Sequence, residues 1–141
     1  MPGRLVFEDG TAFTGWMCAA RDEVSGVVEC NTAVVGYQEI VTDPVNKGKI
    51  LVMTMPQIGN YGVNSEDSTS PEVQIVGLMV RQMCFEPSNW RSEQSLPELL
   101  ARQGVVALDG VDTRAITLYL RDHPGAIARI VCDMSDEEGV C

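Results

Sequence analysis

The run Lys49-Ile50-Leu51-Val52-Met53-Thr54-Met55, closed by Pro56, decides how this sequence folds. It is nearly continuous in apolar residues and shows no polar alternation, the pattern of a strand covered on both faces. Upstream, Arg4 to Phe7 and Thr11 to Trp16 alternate apolar and polar types around Asp9-Gly10, a dipeptide that tolerates positive φ, which signals a β-hairpin. A third strand is expected from Val27 to Asn31. Tyr37, Ile40 and Val41 then fall at helical spacing within Gly36 to Thr42, giving one or two turns of helix before Pro44 forbids continuation.

Downstream, the stretch from Gln57 to Pro71 has no apolar periodicity and is expected to form a long loop, of a length that in compact domains is uncommon and either functional or disordered. Val73 to Cys84 returns to strand composition, with Gly77 marking a bulge or a point where another backbone comes close. Ser95 with Glu98 three residues later is a capping box at a helix start, and Gly104 is the stop. Val105 to Leu108 makes a short strand. Asp112 caps a second helix with Ala115, Ile116, Tyr119 and Leu120 on one face, ended by Pro124-Gly125, and Ile127 to Cys132 is the last strand. The order, strand-rich first and helix-strand later, predicts a mixed, strand-rich α/β domain with two to three helices on one side. No internal repeat or low-complexity tract interrupts it.

Composition narrows the function. The 141 residues suit one compact domain, and 10 Lys+Arg against 20 Asp+Glu give a formal charge of −10. An acidic surface repels phosphate backbones and anionic lipids, and no run of basic residues offsets it, so neither nucleic acid nor membrane is an expected partner. The longest apolar stretches, such as Ile75 to Val80, are far below the roughly 18 residues of a membrane span, and the first residues given lack a basic segment followed by an apolar core. A cytosolic protein is expected. The five cysteines, Cys18, Cys30, Cys84, Cys132 and Cys141, are odd in number and irregularly spaced, which fits neither a disulfide framework nor a metal knuckle, so reduced, inert thiols are expected.

The search for a reacting group ends without one. The single histidine, His123, sits at a helix end, where it serves as a partner of the helix dipole rather than as a base. No cysteine lies on a Gly-x-Cys-x-Gly turn, and no Gly-rich phosphate loop occurs. Catalytic residues, metal ligands and cofactor-binding residues are therefore all expected to be none in this chain. Four strings are left over: Gly36-Tyr37-Gln38-Glu39, Thr42-Asp43-Pro44, Ile58-Gly59-Asn60-Tyr61-Gly62 and Asp112-Thr113-Arg114. Each has a plain structural reading as a turn, loop or helix cap, with Arg114 solvated.

Taken in order, these strings resemble the N-terminal domain of the small subunit of glutamine-hydrolysing carbamoyl-phosphate synthase. The matching segments are Leu5 to Gly15, Asn31 to Pro44, Ile58 to Asn64, Ser88 to Leu96 and Gly110 to Thr117. The resemblance implies a swivelling β/β/α-type domain over residues 1–132, followed at 133–141 by an acidic tail or the start of a linker to a glutaminase domain. It implies that the domain docks a glutamine amidotransferase subunit onto a large synthetase subunit. The complex is a ligase that makes carbamoyl phosphate from L-glutamine, bicarbonate and ATP, for arginine and pyrimidine biosynthesis. ATP and a divalent metal belong to the large subunit, and the Cys-His-Glu glutaminase domain follows in cis. After Thr-Asp-Pro the family commonly has a Ser at the glutamine pocket, and Val45 stands there instead, lacking a side-chain hydrogen bond worth about 0.5–1.5 kcal/mol. Two alternatives remain at this stage. One is a free-standing module that binds a protein or metabolite through the 57–71 loop, and the other is a cysteine-based metal or redox protein.

Overall fold

A computed structural model describes residues 2–20, 22–32, 37–54, 72–83 and 95–132. The chain opens with β1 (Pro2–Phe7), β2 (Ala12–Met17) and β3 (Val24–Asn31), then α1 (Tyr37–Thr42) and a 3-10 turn (Pro44–Asn46). It continues through β4 (Ile50–Met53), β5 (Gly77–Met79), α2 (Leu96–Arg102), β6 (Val106–Asp109), α3 (Thr113–Asp122) and β7 (Ile127–Cys132). Strand-rich mixed α/β with three helices is therefore what the chain forms. The 57–71 loop and Cys84 lie outside the described residues, as do the strings at 58–64 and 88–94.

The hairpin forms as its pattern requires. Val6 pairs with Ala12 and Pro2 with Trp16, while Gly10 takes φ +90° at the turn, a conformation that costs a residue without Cβ little. The seven strands then close on one another in the order β1-β2-β6-β5-β4-β3-β7. β3, β4, β5 and β6 run parallel, and the remaining pairings are antiparallel. Closure removes most of the open sheet edge, although β2 and β6 meet only at Trp16–Asp109 and Met17–Leu108.

Alternation along each strand builds two cores. Ile50 and Val52 of β4 point into the barrel with Leu5, Met79, Leu108 and Ile130, whereas Leu51 and Met53 point outward. The outward set, with Leu78 and Ala107, is covered by Tyr37 and Val41 of α1 and by Leu96, Leu99 and Leu100 of α2. All four residues of β4 are consequently buried, which the Lys49 to Met55 run announces. The third helix does not lie on that side: Ile116 joins the interior cluster together with Tyr119 and Leu120, so α3 plugs the barrel instead of packing over its wall. Gly77 keeps its register with both neighbouring strands rather than forming a bulge, and what crowds it is side chains, not another backbone. A Cβ there would run into the Ile130 and Ile50 side chains that fill the lumen.

Several boundaries moved for identifiable reasons. β3 begins three residues earlier than its composition predicts because Val24 to Val27 pair with β7, while Val28 to Asn31 pair with β4. The strand predicted from Val73 to Cys84 contracts to Gly77–Met79. Just upstream, the amides of Gln74 and Val76 bond the carbonyls of Val41 and Lys49, in the connections around α1 and β4 and outside any ladder. At α2, Ser95 is the N-cap, but Glu98 does not reach back to the Ser95 amide. The Ser95 hydroxyl donates to the Glu98 carboxylate at 3.0 Å and accepts from the Glu98 N–H at 3.3 Å. Asp112 caps α3 as expected, its Oδ1 accepting the Ala115 N–H at 3.0 Å. Cys18 and Cys30 are free, but Cys132 is disulfide-bonded, against the expectation of reduced thiols throughout. Cross-linking depends on spatial approach, which sequence spacing does not reveal.

Candidate functional site

The four parallel strands all end at the same side of the barrel, the position at which sheets of this kind collect ligands. Thr32 follows β3, Thr54 follows β4, and Arg81 lies two residues beyond β5. After β6, Gly110 turns the chain with φ +71° and α3 begins across the strand ends. Between them lies a cavity of about 440 Å³, whose helical wall carries Arg114 and Arg121 with Thr113 and Thr117. That volume falls in the range of small-ligand sites.

The hydroxyls around this cavity have different assignments. Thr54 donates to the Asn31 carbonyl at 3.3 Å, bracing the ends of β3 and β4. Thr117 donates to the Thr113 carbonyl at 2.8 Å and sits 3.3 Å from the Cys30 Sγ, which ties α3 to β3. Thr113 is 2% exposed and its hydroxyl has no partner among the described residues. Arg81 reaches Asp112 at 3.8 Å, a solvent-exposed pair of little energetic weight. Arg114 and Arg121 have no ion-pair partner among the described residues.

The sequence pointed only to the Asp112-Thr113-Arg114 part of this arrangement, and placed Arg114 in solvent. Arg114 is indeed exposed, and it sits on the cavity wall beside two arginines 33 positions upstream and 7 downstream, Arg81 and Arg121, which no run of basic residues could reveal. Gly36 lies outside the described residues. Tyr37, Gln38 and Thr42 are buried in α1, so that string acts as core.

Val45 is elsewhere. It lies in the 3-10 turn that leads to the start of β4, whereas the cavity lies past the end of that strand. Its side chain is 70% exposed, and its N–H is donated to the Asp43 carboxylate at 3.0 Å. His123 closes α3 in the role expected of it: Nδ1 lies 2.9 Å from the Tyr119 carbonyl, the geometry of a donated hydrogen bond, and the ring stacks on Tyr119 at 4.1 Å. Tyr119 in turn donates from its hydroxyl to Asp9 at 2.9 Å, joining the hairpin turn to α3. The Thr11 amide, backed by the Thr11 and Tyr119 side chains, holds the Asp9 carboxyl below the usual carboxylate range. Burial pushes the Cys18 thiol up to about 12, with Asp109 adding to the effect, and burial also raises Cys30. Both remain protonated near neutral pH, where a thiol is a poor nucleophile. Among the described residues no three His, Cys, Asp or Glu side chains converge as metal ligands, and no helix is long and apolar enough to cross a membrane.

Comparison with known proteins adds the family. The chain matches the model of the carbamoyl-phosphate synthase small chain, CPSase domain, over residues 5–131. It is 44% identical over 140 residues to the carbamoyl phosphate synthase small chain of Solidesulfovibrio magneticus, covering 99% of this chain and 37% of that protein. The small chain of Nostoc sp. is also 44% identical, over 137 residues, covering 97% of this chain and 35% of the relative. That of Aquifex aeolicus is 48% identical over 118 residues, covering 84% and 32%. The chain thus spans about a third of the length of the curated relatives it matches. With the family model covering nearly the whole sequence, the chain belongs to the carbamoyl-phosphate synthase small-chain family, in its CPSase domain.

Proposed function

We propose that this domain is a noncatalytic docking element, which seats a glutamine-hydrolysing small subunit on a large synthetase subunit that makes carbamoyl phosphate. The observation that carries the proposal is the match of residues 5–131 to the CPSase domain of the small chain, in a chain a third the length of its relatives. In this reading residues 1–132 form the docking domain and 133–141 begin a linker to a glutaminase domain. Glutamine is consumed by that second domain, while ATP and its metal are handled by the large subunit. The protein works in the cytoplasm, supplying arginine and pyrimidine synthesis.

Two features of the chain support a contact role. The outer faces of its antiparallel strands leave Trp16, Val27 and Ile127 at 58%, 39% and 46% exposure, and interfaces are built on such residues. Its described cysteines are protonated or disulfide-bonded, and His123 is committed to the end of α3. The test is co-purification with a large synthetase subunit. A stable complex is expected, and its absence under every nucleotide condition overturns docking. The chain alone is expected to show no glutaminase activity, so turnover abolished by mutating one of its cysteines overturns the noncatalytic reading.

Val45 gives a finer test. Its amide is held by Asp43, so at a glutamine pocket only its isopropyl group faces substrate. In a small subunit carrying the glutaminase domain, Val45→Ser is expected to lower the KM for glutamine roughly 2- to 10-fold, the worth of one hydrogen bond. An unchanged KM removes Val45 from the pocket.

A further inference from the structure

We propose that the cavity between α3 and the ends of the parallel strands binds a phosphate compound with two linked anionic groups, a diphosphate or a phosphorylated metabolite with a second acidic group. The inference rests on the cavity itself and is independent of docking. Three guanidinium groups, Arg81, Arg114 and Arg121, face one space of about 440 Å³ in a protein of net charge −10. Gathering like charges is unfavourable unless an anion offsets them, and among the described residues the one carboxylate ion-paired with any of the three is Asp112, which reaches Arg81 at 3.8 Å. Asp112 is also occupied in capping α3.

The nearly buried Thr113 points to the same ligand. Its neighbours Thr54 and Thr117 donate to backbone carbonyls, but the Thr113 hydroxyl lines the cavity with no partner among the described residues. The Thr113 hydroxyl oxygen is open to the cavity rather than sealed from it, so it is free to donate to an anion oxygen held there. Guanidinium forks suit phosphate oxygens, which they bind in pairs.

Spacing selects the length of the ligand. Arg114 and Arg121 are seven residues apart on α3, about 10 Å along its axis. Two linked anionic groups can each take one guanidinium fork at that spacing, whereas a single phosphate has to draw both side chains inward to one point. Arg81, from beyond β5, closes the third side.

The experiment is an NMR titration of the chain's backbone amides at constant ionic strength, with pyrophosphate, inorganic phosphate, citrate and chloride as probes. Saturable shifts are expected at Thr113 to Thr117 and around Arg81 and Thr54, with pyrophosphate at least tenfold tighter than phosphate. Arg114→Gln and Arg121→Gln, both exposed, are each expected to weaken pyrophosphate tenfold or more, and Thr113→Val several-fold. Arg129→Gln, on β7 away from the cavity, is expected to leave the affinity unchanged. Shifts reproduced by chloride, or insensitive to both arginine substitutions, overturn the proposal. Citrate binding as tightly as pyrophosphate overturns the assignment to phosphate.

Discussion

The parallel and antiparallel halves of the barrel show how one closed sheet accommodates two kinds of surface. In the parallel half, β4 and β5 are buried at every residue, because their inner side chains fill the lumen and their outer ones lie beneath α1 and α2. In the antiparallel half, β1 and β2 alternate between more and less buried positions, and none of the described helices lies over their outer face. The difference lies in the connections: a parallel pair needs a crossover, and crossover helices become the second layer. A hairpin needs none, so its outer face stays free for solvent or for a partner.

The largest expected effect follows from that double burial. Leu78→Ala removes a side chain that is 0% exposed between the sheet and its covering helices, and is expected to cost about 2–5 kcal/mol by chemical denaturation. Trp16→Ala, on the uncovered face, is expected to change stability by no more than about 0.5 kcal/mol while weakening docking. If the two substitutions cost the same, the contrast between the halves is wrong. Next comes Gly77→Ala, whose added methyl meets Ile130 and Ile50 in the lumen, with a loss of about 1–3 kcal/mol expected. Ser95→Ala, which removes the cap of a covering helix, should cost about 1 kcal/mol by the same measurement.

Two pH effects are smaller and act on different parts of the barrel. The Cys18 thiol, just after β2, is raised from 9.0 to about 12 by burial, so folding favours its protonated form. Its contribution is intact below pH 9 and is lost as pH rises from 9 toward 12. The denaturation midpoint of the wild type should therefore fall more steeply over that window than that of Cys18→Ala. Asp9, at the hairpin turn, is shifted the other way, below its ordinary 3.8. Its contribution is present above that value and is lost as pH falls through the lowered one, so Tyr119→Phe should flatten the acid limb slightly.

Local chemistry made much of the fold legible. The Asp9-Gly10 hairpin, the Ser95 and Asp112 caps and the buried run at Ile50 to Met53 each depend on interactions within a few residues, and each appears in the structure. The first half of β3 was not legible, because its partner is a strand about 100 residues away. Nor was the closure of the sheet, since no local pattern distinguishes an open mixed sheet from a barrel. The candidate site was the least visible part. Arg81 and Arg121 look like ordinary surface charges in the sequence, and only the shared ending of the parallel strands brings them beside Arg114 and Thr113.

By itself, then, the sequence determined the element types, their caps and the resemblance carried by its ordered strings, all properties of short segments. Tertiary structure alone decided that the strands close, that α3 plugs the barrel rather than covering it, and that three arginines meet at one cavity. Those outcomes depend on where distant segments pack, and packing is chosen by burial of whole faces rather than by any residue's neighbours in the chain.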